Sequence, residues 1–263
     1  MKVVSLNTCS GFFYPALSEF IREHASTTDI FLFQEVYNAT GDVPNIEGHH
    51  TKLFSELQKL LPDFVGVFYN AEIERIWEEN GVQIDVPFGN ATFVRSGISL
   101  LSSNVLHLSS VQTHFSRGSA LVTQLKVREH QITVCNVHGC AAPIDKRDCE
   151  ERILASQEII TYVEQFEGHT LIAGDFNLFP DTRSIEVFTE MGYRNLIIDH
   201  HIATTRGTLV KQMHPEYGIP PSEFQEFADY MFVMPSIITR TFEVPDLPIS
   251  DHLPMILEFE LDK

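Results

Sequence analysis

Positive charge is scarce in this chain. Lys and Arg together number 18 against 36 Asp and Glu, which leaves a formal net charge of −18. The densest basic step is the dipeptide Lys146-Arg147. A protein that grips duplex nucleic acid through many phosphates carries a basic stripe, and none is written here. The acidity is read mainly as a solubility feature. Cysteine is also sparse: Cys9, Cys135, Cys140 and Cys149 form neither a CxxC pair nor a zinc-ribbon spacing. In apolar strand patterns a free Cys acts as a small buried hydrophobe, which suits a reduced, cytoplasmic setting. Trp occurs once against 20 Phe, which reads as core filling. No run approaches 18 apolar residues, so no membrane span is expected. The start, Met1-Lys2-Val3-Val4-Ser5-Leu6-Asn7, has no h-region and no small-residue cleavage site, so no secretory leader is expected. No Gly-rich phosphate loop appears, and no Ser or Cys has the surroundings of a nucleophile elbow. No Ser/Gly linker or low-complexity segment divides the chain. Residues 1–263 are therefore read as one domain, long enough to bury a large core.

What is present is an alternation of strand and helix patterns. Lys2–Asn7 reads as a short apolar strand. Pro15 then opens a helix whose Leu17, Phe20, Ile21 and His24 share a face. Ile30–Gln34 is an apolar strand ending at Glu35. A helix over 51–61 leads through Pro62 to a strand over 64–69, and residues 91–127 read as strands with short turns. A further strand covers 131–137. A long helix follows over 147–166, with Asp145 as its N-cap. Residues 170–174 form a strand, and a helix over 182–191 is capped by Asp181 and stopped at Gly192. Strands over 228–233, 237–244 and 255–261 complete the pattern. Two long loops, 37–50 and 199–227, are candidates for function. The second holds His200, His201, Arg206, Lys211, His214 and Tyr217.

Two strand–helix–strand units stand out. One ends its strands at Asn7 and Glu35, the other at His138 and Asp175. Ligand sites in α/β sheets gather at the carboxyl ends of strands, so two such units face to face would bring these four residues to one cleft.

Each candidate has a bland alternative. Glu35 follows five residues where an unpaired acid is costly to bury, and a hard cation prefers carboxylate oxygens, but a strand-end acid is equally ordinary. Gly174-Asp175-Phe176-Asn177 lets the chain turn at once, with Asp175 to orient a water and Asn177 to donate to a phosphate oxygen. The same residues also make a plain Asx turn. In Ser250-Asp251-His252, the His can be a general base, and Asp229 can orient its ring as in a catalytic triad. Alone it is a turn with a His. His138, at a strand end, reads alone as a core histidine. The case is collective.

The order of these pieces resembles the endonuclease/exonuclease/phosphatase superfamily, with its deoxyribonuclease I-like fold. The resemblance is carried by Ser5-Leu6-Asn7, Phe33-Gln34-Glu35, Asn136-Val137-His138, Gly174-Asp175-Phe176-Asn177, Asp229-Tyr230-Met231-Phe232 and Ser250-Asp251-His252. Gly89-Asn90-Ala91 and Arg117-Gly118-Ser119-Ala120-Leu121 look like the middle strands of its bacterial-type members. The resemblance implies an α/β (α+β) four-layer sandwich, two mixed sheets face to face with helices outside. It implies Mg²⁺ or Mn²⁺ held mainly by Glu35, with Asn7 and Asp251 close by. Asp175 and Asn177 position the water and the phosphoryl oxygens, His252 oriented by Asp229 acts as base or electrostatic partner, and His138 stabilises charge on the phosphate or assists the leaving group. Arg95 and Arg117 join Asn177 as candidate substrate-binding residues. After Asn177, Leu178-Phe179-Pro180 replaces the Tyr-Arg of the inositide phosphatases, which counts against an inositide substrate.

Three functions compete. The first is a phosphodiesterase, such as a nuclease for short or single-stranded nucleic acid. The second hydrolyses a small phosphomonoester or a phospholipid headgroup. The third is a catalytically inactive binding or scaffold protein, against which stands the complete set of eight matched polar residues. No protein partner is evident.

Overall fold

Apolar runs without polar interruption dictate strands buried on both faces, and both strand–helix–strand units form as such. The computed structural model describes residues 1–71, 76–79, 82–109, 118–142, 145–209 and 225–262, with backbone only at 76–79 and 82–85. In chain order the elements are β1 (Lys2–Asn7), α1 (Tyr14–Ala25), β2 (Ile30–Tyr37), α2 (Leu53–Leu60), β3 (Phe64–Asn70), a β4 (Ile76–Glu79) and β5 (Val82–Asp85) hairpin, β6 (Phe88–Arg95), β7 (Ser99–His107) and β8 (Ser119–Val127). Then come β9 (His130–His138), α3 (Glu150–Val163), β10 (His169–Asp175), α4 (Arg183–Glu190), β11 (Arg194–Asn195), α5 (Leu196–Asp199), β12 (Asp229–Val233), β13 (Ile237–Glu243) and β14 (Met255–Leu261).

Two six-stranded mixed sheets pack face to face, in the orders β13-β14-β1-β2-β6-β3 and β7-β8-β9-β10-β12-β11. Each holds one parallel pair in the middle, β1 with β2 and β9 with β10, flanked by antiparallel neighbours. The duplication expected from the sequence is thus present as topology.

Strand parity sorts the side chains. Val3, Ile30 and Leu32 enter the core shared with Val122, Val134 and Leu171 of the other sheet. Val4, Leu6, Phe31 and Phe33 pack outward on Leu17, Phe20 and Ile21 of α1 and Leu53 and Leu57 of α2. Asn7 has the parity of Val3, Gln34 that of Leu32, and His138 that of Val134, so all three belong to the face between the sheets. Beneath the carboxyl ends a buried amide network ties the sheets. Gln34 Nε2 donates to Asn136 Oδ1 at 2.6 Å, and Asn136 Nδ2 donates to Phe33 O and Ala91 O at 3.1 and 3.0 Å.

Two expected helix caps are corrected. α3 begins at Glu150 rather than 147, and Asp145 does not cap it. Asp181 does not cap α4; it lies exposed against Arg147. The cap of α4 comes from a distance: Asp148 accepts from Arg183 N at 2.7 Å and Ser184 N at 3.0 Å. A short carboxylate from the neighbouring loop meets the unpaired first-turn N–H groups and removes the need for a local cap.

Candidate active site

Asp175 ends β10 opposite His138 of β9. Gly174 allows this: its φ is +143°, and a Cβ there would lie 2.0 Å from Val137 O. One Asp175 oxygen accepts from Asn177 N at 2.8 Å, while Asn177 itself sits at φ 56°. The Asx turn foreseen as a rival reading is therefore the device that presents the site. The other oxygen, Oδ2, accepts from Asn7 Nδ2 at 3.0 Å across the sheet interface. His252 Nε2 stands 3.7 Å and His138 Nε2 3.9 Å from that same oxygen.

Glu35 needs a special device. Strict alternation would aim it outward with Phe31 and Phe33. Instead its φ is 57°, and the pairing of β2 with β6 slips between Phe33 and Val36, so three steps along β2 match two along β6. This bulge re-aims the side chain into the cleft. Its carboxylate comes 3.9 Å from His138 Nε2.

Ser250-Asp251-His252 is held by Ser250 Oγ, which donates to Asn7 O at 2.7 Å and accepts from His252 N at 3.2 Å. His252 Nδ1 meets Asp229 Oδ2 at 2.8 Å, and both side chains are buried. Glu35, His138, Asp175, His252 and Asp251 thus form a continuous chain of contacts, each link under 4.0 Å.

The electrostatics follow from burial opposed by neighbours. Burial alone would raise the Asp175 carboxyl, but His252, His138, Arg206 and Lys146 outweigh it and hold it below the ordinary range. Burial likewise opposes ionisation of Asp251, yet Arg206 and His252 bring it down to about 2. Burial wins at Asp229, which is lifted to about 6 against the pull of His252. At His252, burial and Arg206 favour the neutral ring, and the carboxylates of Asp229, Asp251 and Asp175 override them, carrying it up to about 9. The Arg206 guanidinium beside Nε2 favours the neutral ring, and the three carboxylates outweigh it.

Arg206 and Lys146 were not singled out as site residues from the sequence. Arg206 Nη2 donates to Asp251 Oδ2 at 2.9 Å, and Nη1 contacts His252 Nε2. Its only signal was membership of the long 199–227 loop. Lys211, His214 and Tyr217 of that loop lie outside the described residues. Lys146 Nζ donates to Asn177 Oδ1 at 2.8 Å, and burial brings its ammonium down to about 8, with Asp175 opposing. Its signal was the densest basic step in the chain.

Arg95 is a correction. It ends β6, whose first residue, Phe88, neighbours the His138 ring, so it lies at the far end of the strand. There it donates to Thr28 O at 3.1 Å and Ala25 O at 2.6 Å and stacks over Phe64. It closes the turn after α1 and cannot touch a substrate in the cleft. Arg117 lies outside the described residues.

The donor set fits a hard divalent cation. Among the described residues nothing donates a hydrogen bond to the Glu35 carboxylate, which is 30% exposed and has only His138 at 3.9 Å. Such an acid, with Asn7 and Asp251 in the same cluster, is oxygen chemistry suited to Mg²⁺ or Mn²⁺. Asn7 is committed to Asp175 and to Cys9 N, and Asp251 to Arg206, so a cation at Asp251 would compete with the guanidinium. Donor atoms of Asp175, Asp229 and His252 also lie within 4.8 Å of one another. We read that trio as a hydrogen-bonded relay, because Asp229 and His252 already satisfy each other and all three are buried.

No curated protein matches the chain by sequence. Solved structures do match by fold. An endonuclease/exonuclease/phosphatase from Bacteroides vulgatus superposes with a TM-score of 0.71 at 19% identity, covering 99% of this chain and 98% of that one. A mannosyl-6-phosphatase of Bacteroides thetaiotaomicron gives 0.72 at 14% identity, covering 99% and 100%. The human Nocturnin catalytic domain, with a bound sulfate anion, gives 0.68 at 16% identity, covering 99% and 93%. A model of the Endonuclease/Exonuclease/phosphatase family matches residues 4–252, a span that begins within β1 and ends on His252. The chain therefore belongs to the endonuclease/exonuclease/phosphatase family, whose members are hydrolases of phosphate esters.

Proposed function

We propose that this protein, as one domain over residues 1–263, hydrolyses a phosphate ester with the help of a divalent cation, Mg²⁺ by default or Mn²⁺. Glu35 is the principal ligand, with Asn7 and Asp251 beside it; when bound, the cation neutralises phosphoryl charge and makes water a better nucleophile. The chain's own groups do the rest. Asp175, held ionised by its cationic neighbours, takes and orients the attacking water. Asn177 Nδ2, whose one hydrogen bond among the described residues is a long 3.4 Å one to Gly139 O, donates to a phosphoryl oxygen. His252, held by Asp229, supplies positive charge where the oxygens gain negative charge, and His138 offers a hydrogen bond there.

One observation carries this reading: Asp175 receives Asn7, Asn177, His252 and His138, from four separate segments, within 4.0 Å. The test is Mg²⁺- or Mn²⁺-dependent hydrolysis of p-nitrophenyl phosphate, bis-p-nitrophenyl phosphate, single-stranded DNA and RNA. EDTA should abolish it, and Asp175→Ala or His252→Ala should lower it by about 10³-fold or more. Activity that survives both substitutions overturns the assignment.

One observation favours a second reading, a protein that holds a phosphate without cutting it: Arg206 covers both Asp251 and His252 Nε2. That reading requires phosphate binding without turnover at any metal concentration.

A further inference from the structure

Two cations reach the reacting cluster from connections that supply none of the six motifs. Arg206 sits on a segment anchored on both sides. Leu253 N donates to Thr205 O at 2.9 Å, Gly207 N donates to Asp251 O at 3.1 Å, and Thr205 Oγ1 accepts from Ala228 N and Asp229 N at 3.0 and 3.1 Å. Its backbone is therefore fixed and its side chain aimed. The Arg206 side chain is 15% exposed, and its Nε–H is buried with no hydrogen-bond partner among the described residues. Lys146 arrives from the connection between β9 and α3, reaching Ala141 O at 2.6 Å and Asn177 Oδ1 at 2.8 Å. Both cations act on the Asp175 carboxylate, one by way of Asp251 and His252 and the other by way of Asn177.

We propose that Arg206 and Lys146 form a two-cation clamp for a terminal, doubly charged phosphate, which makes the substrate a phosphate monoester of a small molecule rather than the diester backbone of a nucleic acid. This deepens the hydrolytic reading above and rests on it. Three observations support it. A monoester carries close to two negative charges on three free oxygens at neutral pH, whereas a diester carries one on two. The planar guanidinium fork, with an unspent Nε–H, matches such a group, and Lys146 adds a point charge. The positive charge is also internal. The chain carries −18 overall with no basic run, so a polyanion is repelled outside while a single phosphate is held inside. Depth agrees: Asp175, His252 and Asp251 side chains are only 2%, 4% and 12% exposed. A diester must leave the reacting phosphorus in two directions and a monoester in only one.

The test uses the full chain with Mn²⁺ on p-nitrophenyl phosphate and bis-p-nitrophenyl phosphate, and calorimetric titration with inorganic phosphate. The wild type should favour the monoester in kcat/KM. Arg206→Gln should lower the monoester value about 100-fold, largely through KM, against less than about 10-fold for the diester, with partial recovery in Arg206→Lys. Phosphate affinity should fall at least about 10-fold in Arg206→Gln and in Lys146→Met. A wild type that prefers the diester, an equal loss on both esters, or unchanged phosphate binding in both variants overturns the clamp. If the wild type cleaves neither ester and neither single-stranded DNA nor RNA, the hydrolytic reading fails. The clamp is then judged by phosphate binding alone, upheld if Arg206→Gln weakens it and overturned if not. Should Arg206→Gln fail to fold, Lys146→Met carries the same comparison.

Discussion

Replacing Asp229 by Asn keeps the shape of the side chain and removes one charge from the pair with His252. The two are buried, with Nδ1 and Oδ2 2.8 Å apart. With charge centres about 4 Å apart and an effective dielectric constant near 20, their attraction is about 4 kcal/mol, or roughly 3 pKa units. The ring, pushed up to about 9 in the wild type, should then titrate near ~6 in the variant. The assays are a nuclear magnetic resonance titration of the His252 ring in metal-free protein and a pH–rate profile with Mn²⁺. The alkaline limb should move down by ~2–3 units, and the rate at neutral pH should fall by about 10²-fold or more. Stability should respond far less. Both folded pKa values lie above their ordinary ones, so each contribution is complete below the ordinary value and is lost as pH rises through the folded value. Those windows are 3.8 to about 6 for Asp229 and 6.5 to about 9 for His252. Near pH 7 a loss of roughly 3 kcal/mol at Asp229 is offset by a similar gain at His252, as expected of a buried ion pair. Asp229→Asn should therefore shift the unfolding free energy at pH 7 by under ~2 kcal/mol. An alkaline limb that stays put in the variant, or stability that collapses while activity persists, refutes the reasoning.

Three further outcomes are expected. Glu35→Gln should weaken Mn²⁺ binding by at least about 10-fold, read by electron paramagnetic resonance; unchanged binding removes Glu35 as the principal ligand. Asp148→Ala should cost about 1 kcal/mol in denaturant unfolding, because α4 loses its cap. Burial opposes ionisation of Asp148, but Ser184 and the Arg183 N–H hold its carboxyl down, so this contribution is present above the ordinary value and disappears as pH falls below it; an equal cost at all pH values contradicts the cap. Arg95→Ala should cost about 1–2 kcal/mol of stability and leave kcat/KM within about twofold, since the side chain serves the α1 turn; a large activity loss without a stability change would return it to the site.

The sequence made legible whatever is periodic or local. Asn7 and His138 stand out in the sequence as polar residues closing apolar strands, and β14 is legible to its ends at Met255 and Leu261. Glu35 joins the cluster by a route the sequence does not reveal: alternation alone aims it at the helices, and only the bulge, a tertiary adjustment of β2 to β6, turns it inward. The inter-sheet amides Gln34 and Asn136 were invisible because a polar residue in an apolar strand does not announce its partner about a hundred residues away. The helix caps failed for the same reason. Asp181 has the right spacing for α4, but Asp148 reaches its first turn through space and leaves Asp181 to Arg147.

The division between what was and was not legible follows the way the site is built. The duplicated strand–helix–strand units deliver Asn7, His138 and Asp175 at strand ends, where polarity marks them, and Glu35 from within β2 by way of its bulge. The cations come from the connections, Lys146 before α3 and Arg206 after α5, where no period exists. A scaffold of this kind fixes two carboxylates, an amide and an imidazole around one point and leaves two further cations to its loops. Phosphoryl chemistry belongs to the sheets, and the choice of phosphate belongs to residues such as Arg206. Exchanging Arg206 should therefore alter which ester is cut far more than exchanging any strand-end residue, which should alter only how fast.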